Sequence, residues 1–352
     1  MQCSQLKVIC AGHICLDMKP QFSRAQASSL LETLTPGKLI ETRGMRIDLG
    51  GSCSNTGRGF KLFGVSGKII CCLGDDRLGK ISKELLEEMG LETSVLPSTS
   101  STSHSVVIEV PGYDRIFLHD PGANRDFDGR AIAKEDLAGF KHFHFGYPPM
   151  MPKMYENCGK ALAEMLKTAK SAGLSTSVDM AFIDPQSEAA KADWKAVLSN
   201  ALPYVDYFVP SFEEIAGILD PDGLSGLLES AGGGDAIAAM DVERDAAPLA
   251  RELLELGASN VLIKCGAKGM IFKSRGEEIF SPPFKPCRIL SATGAGDVSI
   301  AAFLASALLG CKTSKCLDLA CAAGAALVEG SLEGMGGLDG LRQRIAAGWQ
   351  RL

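Results

Sequence analysis

Short runs rich in β-branched and aromatic residues alternate along this chain with stretches of helical period, and that alternation restricts the fold more than any other feature. The runs fall at 6–11, 68–73, 140–145, 174–179, 204–209 and 260–264. Between most of them, at 54–63, 77–89, 153–172, 188–200 and 246–257, apolar residues recur at i, i+3 and i+4. Helices that cross over between strands cover both faces of a mainly parallel sheet, so the expected class is α/β, doubly wound, with flanking helices. Ligands of such sheets bind beyond the carboxyl ends of the strands. A length of 352 residues is compatible with two domains of ~150 residues, but large α/β folds often use this length as one, and 1–352 is read as a single domain.

Two segments break the rhythm. Residues 38–49 and 105–119 read as antiparallel hairpin strands, the second with a Pro111-Gly112-Tyr113-Asp114 turn. Inserted in an α/β chain, they are expected to form a small projecting sheet, either a lid over a ligand cleft or a surface ornament or dimer contact. Residues 220–247 show no clear period, carry Gly232-Gly233-Gly234, and are expected to be an excursion between two helices.

Charge and hydropathy narrow the function classes. A net charge of -6 from 36 basic and 42 acidic residues gives no field that would gather nucleic acid. The longest apolar stretch, Val298 to Cys311, covers 14 residues, short of the ~20 a membrane span needs. Residues 1–12 carry no export signal, so a cytoplasmic protein is expected. The 12 cysteines lie mostly in apolar runs and read as buried thiols. No C-x-x-C pair exists, and the Cys10–Cys15 and Cys316–Cys321 spacings do not match a closed zinc site.

The sharpest chemical signal is Ala292-Thr293-Gly294-Ala295-Gly296-Asp297, running directly into a small-residue apolar helix. Backbone N–H groups at a glycine-rich helix start converge on an anion, and the helix dipole adds ~0.5 of a positive charge there. A carboxylate in that cradle repels a phosphate but suits a base taking a hydroxyl proton during phosphoryl transfer. The competing reading makes Asp297 a plain helix N-cap. A second glycine-rich helix start, Asp48 to Asn55, holds Gly50, Gly51 and Asn55; Asn55 offers a donor and an acceptor to a polyol, or else caps the helix. Asp17, just past the first strand, occupies a position where α/β sheets face ligands.

On these residues the chain resembles the ribokinase family, the PfkB-type carbohydrate kinases, over nearly its whole length. Gly50, Gly51 and Asn55 fit the early G-G-x-x-x-N signature, and Gly294, Ala295, Gly296 and Asp297 fit the late D-T-x-G-A-G-D signature. The resemblance implies ATP-dependent phosphorylation of a hydroxyl on a small sugar-like substrate. Asp297 would be the base, and the N–H groups of Ala295, Gly296 and their neighbours the anion hole. Asp17 and Asn55 would hold sugar hydroxyls. Glu214 would position Mg2+ through water, while Lys264, Gly266 and Gly269 would belong to the ATP loop. The competing reading of Gly266 and Gly269 is a simple turn between strands. The lid of this family commonly also forms a homodimer interface. Ser291 and Ala292 replace the usual Asp-Thr, and Ser211 the usual Asn of the magnesium motif. The first change removes a carboxylate associated with a monovalent cation, so potassium activation is not expected.

Other features carry less. His142 and His144 share a strand face but lack a third ligand and read as interior histidines; His13 is read as structural beside the cleft. Arg43, Arg46, Arg115 and Arg125 could clamp a substrate phosphate or be ordinary surface charges. A nucleoside kinase would use Phe22, Tyr113 or Phe117 against a base, and a sugar-binding regulatory protein with a degenerate site is the alternative from another class. A nicotinamide oxidoreductase is disfavoured, because no G-x-G-x-x-G follows the first strand.

Overall fold

The computed structural model describes residues 6–22, 34–110 and 116–352. The Pro111–Asp114 turn, with Tyr113, and Arg115 lie outside them. The strands are β1 (Lys7–Gly12), β2 (Cys15–Pro20), β3 (Met45–Gly50), β4 (Ser66–Cys72), β5 (Glu92–Leu96), β6 (His104–Ile108), β7 (Ile116–Asp120), β8 (His142–Gly146), β9 (Ser175–Asp179), β10 (Tyr207–Phe208), β11 (Asn260–Lys264), β12 (Met270–Ser274) and β13 (Glu278–Ser281). The main sheet has the order β13-β12-β11-β10-β9-β8-β1-β4-β5. Pairings from β5 through β11 are parallel, and β12 and β13 add antiparallel edges.

Alternating side chains of the sheet feed two cores. Ile9 and Ala11 of β1 pack on one side with Phe143, Phe145 and the helix Pro152–Ser171. Val8 and Cys10 pack on the other with the helices Ser52–Leu62, Ala295–Leu308 and Thr313–Glu329. Period-two burial on both faces is what parallel strands under crossover helices require. The chain fills the sheet outward from β1 to β4 and β5, then from β8 to β11. The order therefore reverses between β1 and β8, and ligands of such sheets bind at this switch point.

The second sheet, β3-β2-β6-β7, is the expected small sheet. Its register makes it two-faced. One row reads Asp48, Asp17, Ser105, His119 across the strands, and the next reads Ile47, Met18, Val106, Leu118. Successive residues point to opposite faces, so the sheet carries a polar side and an apolar side. Ile47 and Leu118 are exposed on the latter.

Several expectations need correction. Of 38–49, only the part from Met45 is strand, paired with β2, which sequence reading missed along with β5. The run at 204–209 shortens to Tyr207–Phe208, because Leu202–Tyr204, with Pro203, forms a 3-10 turn. The stretch 188–200 splits into a 3-10 turn and the helix Trp194–Ala201, capped by Asp193. Residues 220–247 are largely helical. Side chains of Asp220, Asp235 and Asp241 accept from Gly223, Ile237 and Arg244 N–H groups and start successive short helices; each cap resets the apolar phase, which hides the period. Most described cysteines are buried, as expected, but Cys158 and Cys287 are exposed. His142 meets Ser175 and Ser177, and His144 meets Ser177, all at 2.8 Å, as interior histidines.

Candidate active site

The switch point ends in two adjacent corners. Gly12 and Gly146 are paired at the last register of β1 and β8, and the chain leaves them through His13 and Tyr147, whose rings lie 6.0 Å apart. Tyr147 adopts a left-handed φ of 64°, and its hydroxyl reaches Asp297.

Asp297 lies in the first turn of the helix Ala295–Leu308, whose N-cap Gly294 takes a φ of 78°, a conformation that a side chain there would strain. The helix is apolar almost all round and sits inside the core, so Asp297 is carried in with it and is 3% exposed. Its carboxylate caps no N–H of its own helix, which removes the plain N-cap reading. Instead Oδ2 accepts from Asn55 Nδ2 at 3.1 Å, and Oδ1 from Thr56 Oγ1 and the Tyr147 hydroxyl, each at 3.4 Å. Asn55 and Thr56 belong to the helix Ser52–Leu62. A Cβ on Gly59 of that helix would lie 2.7 Å from the Ala301 Cβ. Glycine there lets the two helices approach closely enough to bring both amino-terminal turns to one place. Burial pushes the Asp297 carboxyl up to about 6, with Lys264 and Asn55 pulling it down.

Lys264, the last residue of β11, donates to Asp179 Oδ1 and to the Val209 carbonyl, both at 2.6 Å. Burial disfavours its ammonium, but Asp179, Glu214 and Asp297 outweigh that, and its pKa is raised. Burial also holds the Asp179 carboxyl well above its ordinary value, with Lys264 opposing. One ammonium thus faces three carboxylates. Glu214 arrives through the bridge that pairs Ser211 with Lys264, and its Oε2 accepts from the Ser211 N–H at 2.6 Å in a capping box.

The other expected residues divide. Asp17 stands on the polar row of the small sheet, where Lys19 lies 3.6 Å from it. A Cβ on Gly50 would come within 2.6 Å of its carboxylate, and one on Gly51 within 2.8 Å of His13 Nδ1. The paired glycines therefore leave room for Asp17 and His13. Gly266 and Gly269 bound the turn between β11 and β12. The Cys265 N–H donates to the Gly269 carbonyl at 2.8 Å, and a Cβ on Gly269 would strike the Ser281 carbonyl at 2.2 Å, so the turn alone accounts for that glycine. The Ala295 N–H donates to the Ala292 carbonyl at 3.1 Å, because Gly294 folds the chain back. Arg46 is committed to Asp48 at 2.6 Å.

Sequence reading missed Tyr147, Thr56 and Asp179. Asp179 ends a strand that was read correctly, and its place at a carboxyl end was a usable signal. Tyr147 had no signal of its own.

The pfkB family carbohydrate kinase model matches residues 6–334, and the chain belongs to that family. A comparison with curated proteins gave no match. Among solved structures, Arabidopsis thaliana ribokinase complexed with ribose and ATP is 19% identical, covers 96% of this chain and 97% of its own, and superposes with a TM-score of 0.69. An E. coli protein designated ribokinase II, in complex with ATP and Mg2+, is 22% identical over 97% of this chain and 99% of its own, TM-score 0.70. A nucleoside kinase of Methanocaldococcus jannaschii is 20% identical over 97% and 98%, TM-score 0.65. Likeness at these identities shows the fold. Both the sheet topology and the small second sheet agree with it. No helix among the described residues is long and apolar enough to cross a membrane.

Proposed function

We propose that this carbohydrate kinase transfers the γ-phosphoryl group of ATP to a hydroxyl of a small sugar-like acceptor at the mouth of the helix Ala295–Leu308. The observation that carries the reading is the Asp297 carboxylate, buried at a glycine-opened helix start and held by Asn55 and Tyr147 rather than by its own helix. Asp297 takes the acceptor's proton as its oxygen attacks phosphorus. The Gly296 and Asp297 amides, with the positive end of the helix, receive the developing charge. Asn55 orients the base and, with Asp17, holds acceptor hydroxyls. Lys264 lies beneath the helix start, 3.6 Å from where a Gly296 Cβ would be, and keeps Asp179 neutralised next to the transferred phosphate.

The donor set fits Mg2+. Oxygen ligands suit it, and Glu214 brings a further carboxyl group to the Lys264–Asp179 pair. Glu214 and Asp179 would hold the ion through water, and when bound it supplies positive charge to the phosphate oxygens. Ser211 keeps a hydroxyl near that position. The apolar row of the lid supports a homodimer through this sheet.

The test is ADP release measured over a panel of pentoses, hexoses, sugar acids and nucleosides. Turnover with a sugar, reduced by ~10²- to 10⁴-fold in Asp297→Asn, is expected. A nucleoside as the sole acceptor would give the nucleoside kinase reading, and unchanged turnover in the variant would remove Asp297 from the mechanism.

A further inference from the structure

On the polar side of the lid, next to Asp17, three soft donors meet. Cys15 opens β2, His119 lies on β7, and His13 leaves β1 at the switch point. One ligand atom from each lies within 4.8 Å of the other two. Neither ring nitrogen of His13 has a hydrogen-bond partner, and the side chain is 4% exposed. His119 Nε2 is likewise buried without a partner. A buried polar atom left unpaired costs ~1–3 kcal/mol, so a ligand that takes one nitrogen from each imidazole would relieve both rings.

The surroundings orient these donors. Ser105 Oγ is hydrogen bonded with His119 Nδ1 at 2.9 Å, which leaves Nε2 as the free nitrogen. The Cys15 thiol donates to Asp17 Oδ1 at 3.3 Å, and Ser105 Oγ lies 3.8 Å from the same sulfur. A hydroxyl behind one imidazole and a carboxylate behind the thiol are the kind of partners that fix metal ligands. We propose that His13, Cys15 and His119 form a site for a thiophilic divalent cation of the zinc type. Two nitrogens and one sulfur select such an ion over Mg2+. On binding, the Cys15 thiol proton passes to solvent and a sulfur–metal bond replaces it; two imidazoles complete the three protein donors, and the fourth position is open to water. The thiolate and Asp17 together balance the charge of the ion. Because the donors come from the turn after β1, from β2 and from β7, the ion pins the lid to the main sheet. The sequence hides this, since 104 positions separate Cys15 from His119.

The test uses the full chain freed of metal by dialysis against a chelator and titrated with Co2+, a spectroscopic stand-in for Zn2+. It reads absorption rather than turnover, so it is independent of the kinase reading. One equivalent of Co2+ is expected to give a thiolate-to-cobalt charge-transfer band and tetrahedral visible bands, both abolished by Zn2+. Cys15→Ser should remove the charge-transfer band, and His119→Gln should weaken Co2+ binding by at least ~10-fold. Cys158→Ser and Cys287→Ser, at exposed thiols, should change neither. No charge-transfer band in the unmodified protein, or a band that survives Cys15→Ser, or unaltered affinity in His119→Gln, would overturn the site. Should Cys15→Ser fail to fold by circular dichroism, the unmodified protein and His119→Gln decide the matter.

Discussion

Replacing Asp297 by Asn should make the protein more stable while it loses activity. Burial raises the carboxyl from its ordinary 3.8 to about 6, so the folded state holds on to a proton that the unfolded chain gives up. Stability is greatest while the group is protonated, falls as pH rises from about 4 through about 6, and is then constant. At ~1.36 kcal/mol per pH unit, that rise corresponds to about 3 kcal/mol. Asn keeps an acceptor for Asn55 Nδ2 and turns its own amide N–H groups toward the hydroxyls of Thr56 and Tyr147, which can accept. At pH 8 the variant should therefore be more stable by up to about 3 kcal/mol, and below pH 4 by nearly nothing. For 352 residues at ~2.1 cal/mol/K each, this is about 4 °C in Tm. Thermal melts of both proteins from about pH 4 to about pH 8 are the assay. A variant less stable at the upper end, or a difference that does not change with pH, would refute the claim that burial sets the carboxyl's state.

The same carboxyl should limit catalysis in acid: kcat/KM is expected to rise with pH through about 6, and the residual activity of Asp297→Asn should lack that limb. Lys264→Met leaves Asp179 buried beside Glu214 and Asp297, so a loss of ~3–5 kcal/mol is expected in denaturant unfolding, partly recovered by adding Asp179→Asn; no recovery would mean that the pair is not what Lys264 serves. Gly50→Ala pushes against the Asp17 carboxylate and should raise the acceptor KM by about tenfold, ~1.4 kcal/mol, with the KM for ATP unchanged; equal effects on both would detach Asp17 from the acceptor. Ile47→Glu with Leu118→Glu should convert a dimer to a monomer by sedimentation, whereas a protein that is already monomeric would remove the lid interface.

How far the site was legible follows from how each residue announces itself. Gly294, Gly296 and Asp297 form a contiguous signature at a helix start, and so do Gly50, Gly51 and Asn55. Such turns need particular residues at fixed offsets, which one strand of text records. Tyr147 acts through a left-handed backbone at the end of β8, and Thr56 through the face of a helix. Neither leaves a local pattern. The segment 220–247 looked irregular for a related reason, since three aspartate caps restart the helical phase within it.

From the sequence alone came the α/β class, the parallel sheet with its crossover helices, the presence of a small extra sheet and the two glycine-rich helix starts. These depend on period and on turn chemistry, both local. Only the tertiary structure decided that Asn55 and Asp297, 242 positions apart, share a hydrogen bond, that one lysine answers three carboxylates, and that His13, Cys15 and His119 converge beside Asp17. Such meetings depend on which strands are neighbours and how closely two helices can pack, and no stretch of chain contains that information by itself.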